Sequence, residues 1–367
     1  MTFEEIMLKS FELSEKETAR IQRTMIKDYN IALKKINAQI KDVYAVILSG
    51  VEPSEYFNIM TKYNRLVKLQ LSISQEYAKL ARQTKIKMVE NSEIAFSNTY
   101  YRQMYSINWT QINTIFTPVN ADVLAVSVYG TPRVWNSLAE QFGDMTDYIP
   151  KSGTLLEQLL AKNNAKTIAD LQQKLRAGLI TGDSYTKVAR EIREVMGNSV
   201  NNSLRIARTE GHRNMSAGNY AQTEYAREEG VEAKRMIVSA LDLKTRPQSV
   251  QVDGKFENED GFFVYPGGKL VKFPGNSGVA AWDINDREAV ITTVDGVPPE
   301  TRRARDPVKE KRWDAATAAE KKNRKLSDGT EIFPRSEQTD IISFKSMPEW
   351  MEDNGLKFNK SGKMVEK

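Results

Sequence analysis

Apolar residues recur at helical spacing through the first ninety positions. Ile21, Met25, Tyr29, Ile36, Ile40, Val43 and Ile47 fall on one helix face, and Ser14 with Glu17 offers a capping box at its start. Ser49-Gly50-Val51-Glu52-Pro53 interrupts the stripe, with Pro53 suited to the first turn of a new helix. A second stripe follows at Ile59, Tyr63, Leu66, Ile73, Tyr77 and Leu80. Two long amphipathic stretches with a short turn predict an antiparallel helical hairpin, either a plain bundle or an arm for docking on a partner. Residues 92–150 are aromatic-rich and less periodic, with Tyr100, Tyr101, Tyr105, Trp109, Phe116, Tyr129 and Trp135. Few basic residues lie among these aromatics, so they read as packing rather than as a stacking platform for bases.

Residues 154–229 return to helical periodicity. Leu155, Leu156, Leu159 and Leu160 open it, and Ile168, Leu171, Leu175 and Leu179 continue it. Gly182-Asp183-Ser184 reads as a break and N-cap for a helix ending at Met196, closed by Gly197-Asn198. Another helix is expected from about Asn202 to Glu229, ended by Gly230. The pattern then shortens. Lys234–Ala240 looks like a strand, and Asp253-Gly254, Pro266-Gly267-Gly268 and Pro274-Gly275 separate the apolar runs Phe262–Tyr265 and Ala289–Ile291. After Gly296 the apolar residues scatter. The predicted class is α+β and predominantly helical: a helical arm or bundle over 1–150, an α+β module with a small antiparallel sheet over 151–296, and an irregular, basic, partly disordered tail over 297–367 that orders against a partner.

Composition narrows the chemistry. The 367 residues include no cysteine and one histidine, His212, so thiolate metal sites are excluded and histidine-ligated zinc or a histidine triad nearly so. No cofactor and no metal is expected. Lysine and arginine number 53 against 48 acidic residues, a net charge of +5 that a mixed solvated surface explains as readily as nucleic acid does. No run reaches membrane-spanning length, and the first residues do not read as a signal peptide, so a soluble protein without a membrane partner is expected.

The polar residues of 205–288 form an ordered set. Arg205-Ile206-Ala207-Arg208-Thr209-Glu210 sits on a helix, with Asn214 and Asn219 one and two turns on. A strand follows, then Asp242-Leu243-Lys244-Thr245-Arg246, then Val252-Asp253-Gly254-Lys255, and finally Asn285-Asp286-Arg287-Glu288. This order resembles the Mu F-like head morphogenesis family of tailed phages. Its members carry an Arg-x-x-Arg-Thr-Glu helix, an Asp-x-(Arg/Lys)-Thr-Arg-like turn, an Asp-Gly-Lys step and a closing Asn-x-Arg-x motif. Gly178–Ser184 also fits, and the resemblance covers roughly 150–296. Many members have Cys or His near the first turn and a closing Asn-Cys-Arg-Cys. Here Ser249 and Val250 stand near the first, and Asp286 and Glu288 replace the second pair.

The resemblance implies a non-enzymatic minor capsid protein inside the phage head, present in the host cytoplasm during assembly. It implies association with the portal protein, with the major capsid or scaffolding protein as further partners, and contact with packaged double-stranded DNA. The motif residues Arg205, Arg208, Thr209, Glu210, Asn214, Asp242, Arg246, Asp253, Gly254, Asn285, Asp286, Arg287 and Glu288 read as structural. Arg205 and Arg208 are expected as a buried or half-buried brace, Glu210 as a surface partner of Arg213, His212 as a surface residue, and Asp253-Gly254 as a turn. Arg208 or Arg246 could cross-brace Asp286 or Glu288. For DNA, the candidates are Arg302, Arg303, Arg305, Lys309, Lys311, Arg312, Lys321, Lys322, Arg324 and Lys325, diluted by Asp306, Glu310, Asp314 and Glu320. A solvated helix around Ala315–Glu320 explains that stretch equally well.

Two other function classes stay open on sequence alone. An enzyme would be a magnesium-dependent nuclease using Asp242, Asp253, Asp286 and Glu288, or an ADP-ribosyltransferase whose Arg, Ser, Glu-x-Glu order is met by Arg205, Ser239 and Glu257-Asn258-Glu259. Either needs its groups in one cleft. A scaffold or adaptor lost on maturation would act through the helical hairpin alone.

Overall fold

The computed structural model describes residues 3–110, 152–284, 286–294 and 296–367. Helix α1 (Phe3–Asp42) runs into a π-turn at Val43–Ile47. It begins at Phe3 and passes through Ser14, so Ser14 does not cap it. A 3-10 turn at Pro53–Glu55 and a short α2 (Tyr56–Thr61) lead to α3 (Arg65–Thr110). Pro53 opens its turn as its fixed φ favours. Tyr63 leaves the predicted stripe: its backbone is left-handed and its ring is 80% exposed beside the Arg65 guanidinium. Helix α3 continues unbroken through positions where the sequence loses its period, and Phe96 and Tyr100 are buried on it. Phe116, Tyr129 and Trp135 lie outside the described residues.

Helices α4 (Ser152–Thr181) and α5 (Tyr185–Glu228) complete the bundle. Ser184 caps α5, its hydroxyl accepting from the Lys187 amide. The stop expected at Gly197-Asn198 is absent, and α5 is one helix of 44 residues. Val195, Met196, Ser199 and Ser203 are all buried, so packing on both sides of Gly197 offsets the roughly 1 kcal/mol that glycine costs a helix. Leu48, Met60, Leu179 and Val188 meet near the turns, while Met25, Met88, Leu156 and Leu204 meet at the far end. Helices α1 and α4 therefore run one way, and α3 and α5 the other. A buried polar layer crosses the middle. Tyr29 meets Ser203 at 2.8 Å, Tyr77 meets Ser199 at 2.7 Å, and Asn163 donates to Ser203 at 3.1 Å. All four helices join this layer, α5 with both Ser199 and Ser203, so a slip in register would leave several hydroxyls unpaired.

Beyond Gly230 the chain forms strands. β1 (Ala233–Ser239) pairs antiparallel with β4 (Glu288–Val294), Ala233 opposite Val294 and Ser239 opposite Glu288. A helical turn α6 (Pro247–Val252), the hairpin β2 (Phe263–Tyr265) with β3 (Lys269–Val271), and a short α7 (Ala280–Asp283) lie between them. Ile237, Val252, Phe263, Tyr265, Val271 and Val290 pack as their core.

The segment after Gly296 differs from the expected irregular tail. β5 (Thr301–Arg305) pairs with β6 (Thr339–Ser343), and α8 (Pro307–Ala315), α9 (Ala318–Asn323), α10 (Met347–Asp353) and the hairpin β7 (Leu356–Phe358) with β8 (Met364–Glu366) surround them. The helix expected around Ala315–Glu320 is split instead: α8 ends at Ala315, Ala316 and Thr317 are extended, and Thr317 with Glu320 forms a reciprocal capping box that starts α9. Met347, Trp350, Met351, Leu356 and Met364 share one core with Leu241 and Ala304, which lie far upstream in the sequence. That core is assembled from distant pieces, which is why local periodicity does not announce it. Among the described residues no helix is long and apolar enough to cross a membrane.

Candidate functional site

The module is organised around β1, a buried strand held on both edges. β4 lies along one edge, and residues 254–257 pair with the other through Gly254 N to Ile237 O at 2.8 Å and Ile237 N to Lys255 O at 3.0 Å. Gly254 supplies the left-handed turn that brings this segment back, as the Asp-Gly pair predicts. Helix α5 lies against the pair, where Asn219 and Thr223 hydrogen-bond Thr292 of β4.

Charged side chains close both ends of β1. At its start, Arg235 is fully buried. It donates to Glu257 at 2.7 Å, to Gly261 O at 2.7 Å and to Lys272 O at 3.1 Å, with the Tyr220 ring 4.2 Å from its guanidinium. Arg227 shares the same carboxylate and donates to Ala233 O. Burial pulls the Arg235 guanidinium below its ordinary range, and Glu257 acts in the opposite sense. Neither Arg227, in the last turn of α5, nor Arg235, in β1, stands out in the sequence, since a single arginine at either place has no periodic signature.

At the far end of β1, Asp253 accepts four hydrogen bonds. Two come from the Arg302 fork at 2.6 and 2.9 Å, one from Ser239 N at 2.5 Å and one from Met347 N at 2.6 Å. Arg302 also donates to Ser239 O and Lys345 O. This single carboxylate ties β1 to β5 and to the start of α10. It makes the Asp253-Gly254 step a clasp as well as a turn.

Asp242 is a second buried hub. Arg287 and Arg305 both reach its carboxylate, which also accepts from Lys244 N at 2.9 Å and Thr245 Oγ1 at 3.3 Å. Arg246 donates to the carbonyls of Ala281, Trp282 and Ile284 at the end of α7 and stands 3.6 Å from Asp286. The cross-brace expected of Arg246 therefore forms. Asp286 is also 3.6 Å from His212, which is half-buried against it rather than a plain surface residue. Glu288 is buried and accepts from the Tyr265 hydroxyl. Burial, followed by the neighbouring Asp286 charge, pushes the Glu288 carboxyl up to about 7.

The motif helix departs from expectation in two ways. Arg205 and Arg208 are exposed rather than bracing, and Arg208 reaches neither Asp286 nor Glu288. The spacing to the buried face of α5 explains this, because Ala207, Glu210 and Asn214 take the inward positions. The Glu210–Arg213 pair does form, at 2.5 Å, but both residues are buried and Arg213 donates onward to Gly275 O. Burial raises the Glu210 carboxyl above its ordinary range. Thr209 and Asn214 are buried beside them, and Asn285 lies outside the described residues.

Several DNA-contact candidates are likewise engaged within the fold. Arg302 is buried on Asp253 and is corrected to a structural residue. Arg305 is held by Asp242 and Glu310, and Lys309 by Asp306 and Asp340. Lys311 pairs with Glu366, Arg324 with Glu337, and Lys321 lies over the Trp313 ring, all nearer the surface. Arg303 is half-buried on β5, while Arg312, Lys322 and Lys325 are exposed.

The enzyme groupings do not converge. Asp242, Asp253 and Glu288 are occupied by arginines or a tyrosine, and among the described residues no group of three or more His, Asp or Glu is placed to hold a metal ion. Arg205 is exposed on α5, Glu257 is locked at the start of β1, and Ser239 is at its other end, donating to Ser249 O. Four strand residues, roughly 13 Å, separate these last two.

Comparison with known proteins gives the same direction. The family model described as Phage Mu protein F like protein matches residues 169–269. Minor head protein GP7 of Bacillus phage SPP1 is 30% identical over 290 residues, which are 77% of this chain and 85% of that protein. An NAD(+)–arginine ADP-ribosyltransferase, EFV, of Enterococcus faecalis is 34% identical over 154 residues, 42% of this chain but only 31% of that protein. No solved structure matches. A relative covered this fully, with Glu210, Asp242, Asp253, Asp286 and Glu288 of the ordered set all engaged within the fold, decides the family: the chain belongs to the phage Mu F-like minor head proteins, and its role is in head morphogenesis.

Proposed function

We propose that this protein is built into the phage head beside the portal vertex and stays there as a rigid, non-enzymatic part that touches packaged DNA. The observation that carries this is the similarity to a minor head protein over most of both chains. The geometry supports a structural rather than a catalytic use of the motif, because its carboxylates are consumed by internal ion pairs. The division proposed is a helical bundle, the β1-centred module and the segment after Gly296 clasped onto it. The exposed cations of that last segment, Arg312, Lys322 and Lys325, are available to phosphates without reading sequence. For portal docking, the turn end of the bundle offers an apolar groove of about 370 Å³ between Val43, Ile47 and Leu69, edged by Arg65 and Lys68.

Two further partners, the major capsid or the scaffolding protein, follow from the same placement inside the head. The test is reconstruction of assembled heads by cryo-EM without imposed icosahedral symmetry. Density for this chain at the portal vertex in procapsids and in mature heads is the expected result. Presence in procapsids with loss on maturation would make it a scaffold, and absence from particles would end the reading.

A further inference from the structure

The exposed face of α5 carries an arginine ladder that the fold does not use. Arg190, Arg193, Arg205 and Arg208 are all exposed, and at 100° per residue they fall within one sector of the helix. No ion pair to any of the four is found among the described residues, and Arg205 makes one hydrogen bond, to Asn202 at 3.1 Å. Glu194 is the one exposed carboxylate on this sector, because Glu191 turns aside to Lys174. Between the two arginine pairs lie Asn198 and Asn201, also exposed. The contrast with the segment after Gly296 is plain, where Arg302, Arg305, Lys309, Lys311 and Arg324 are all answered by carboxylates.

We infer that this ladder is a docking face for the phosphate backbone of double-stranded DNA, resting on the reading that the protein contacts DNA. Three features favour phosphate over an acidic protein surface. The side chains are arginines and asparagines, the types that bond phosphate oxygens. The two pairs are 15 residues apart, about 22 Å along a straight helix, enough to reach phosphates on both sides of a major groove about 12 Å wide. And α5 exposes no large apolar residue, whereas protein interfaces keep an apolar centre. The long uninterrupted α5, running on through Gly197, holds the two pairs in fixed relation.

The experiment is equilibrium binding of the full chain to a labelled duplex by fluorescence anisotropy across a KCl series. Three proteins are compared: wild type, the ladder variant R190Q/R193Q/R205Q/R208Q, and a C-terminal variant R312Q/K322Q/R324Q/K325Q. All replaced side chains are exposed, and melting curves confirm that the fold is kept. Each lost phosphate contact is expected to reduce the slope of log K against log salt by about 0.9, so the ladder variant should lose roughly 3 to 4 in slope. Its affinity near 50 mM KCl should fall by at least about 100-fold. A loss confined to the C-terminal variant would overturn the ladder while leaving DNA contact standing. Wild type that fails to bind at low salt would overturn both. A ladder variant that keeps duplex binding but drops out of assembled heads would place the arginines on an acidic protein surface and overturn the DNA assignment.

Discussion

Replacing Arg302 with methionine tests whether the segment after Gly296 is a clasped part of the module. The guanidinium supplies two of the four hydrogen bonds on Asp253 and also donates to Ser239 O and Lys345 O. Arg302→Met keeps most of the side-chain volume and strands a buried carboxylate. Removing one partner of such a pair costs about 3–5 kcal/mol. The amides of Ser239 and Met347 still serve Asp253, which puts the expected loss near 3 kcal/mol, a factor of about 150 in local opening. Hydrogen exchange by mass spectrometry reads this on peptides covering 301–305 and 346–351, where the Arg305 and Met347 amides bond Leu241 O and Asp253. Exchange there should accelerate by about two orders of magnitude, with the bundle unchanged. The double variant D253N/R302M should recover part of the loss, because no charge is left buried. Protection in R302M within about 1 kcal/mol of wild type would refute the clasp. The same variant should leave the salt dependence of DNA binding unaltered, since Arg302 is buried and both its terminal nitrogens are engaged inside the fold.

Other expectations follow from the same structure. Glu288 has a folded pKa of about 7 against an ordinary 4.5, so its stabilising contribution is full below about 4.5 and is lost as pH rises through 7. Wild type should therefore lose about 3 kcal/mol relative to Glu288→Gln between those limits in urea titrations, and a difference that stays flat with pH would disprove it. Two helical glycines should respond oppositely to alanine. A Cβ at Gly218 would lie 2.7 Å from the Phe96 carbonyl, so Gly218→Ala should destabilise by about 1–3 kcal/mol despite better propensity, whereas Gly197, with open space around it, should gain up to about 1 kcal/mol. Equal thermal shifts for the two would show that α3 and α5 are not in close contact there. Tyr77→Phe leaves Ser199 without its 2.7 Å partner in the bundle's polar layer and should cost about 1–2 kcal/mol by chemical denaturation, while a neutral result would remove that layer from the account of register.

What was legible in the sequence, and what was not, divides by the range of the interactions. The α1 and α3 stripes, the Pro53 and Ser184 starts, the Gly230 stop and the β1 strand all depend on neighbours within a turn or two, and the residues announce them. Gly197 misled because its local cost is overridden by packing from the other helices of the bundle. The segment after Gly296 misled for the complementary reason, since Trp350, Leu356 and Met364 have no period of their own and become a core only when Leu241 and Ala304 are brought alongside. The motif residues show the same limit in electrostatic form. Asp242, Asp253 and Asp286 can be picked out as a set, but which arginine answers which carboxylate depends on β5 and α7, elements that sequence spacing does not position. Their partners turn out to be Arg287 with Arg305, Arg302, and Arg246. Reading Arg205 and Arg208 as braces assigned them to the wrong side of α5. Once Glu210 and Arg213 are seen to fill the buried side, two motif arginines are left in solvent with no internal task, and an anionic partner becomes the simplest reason for arginine at those positions.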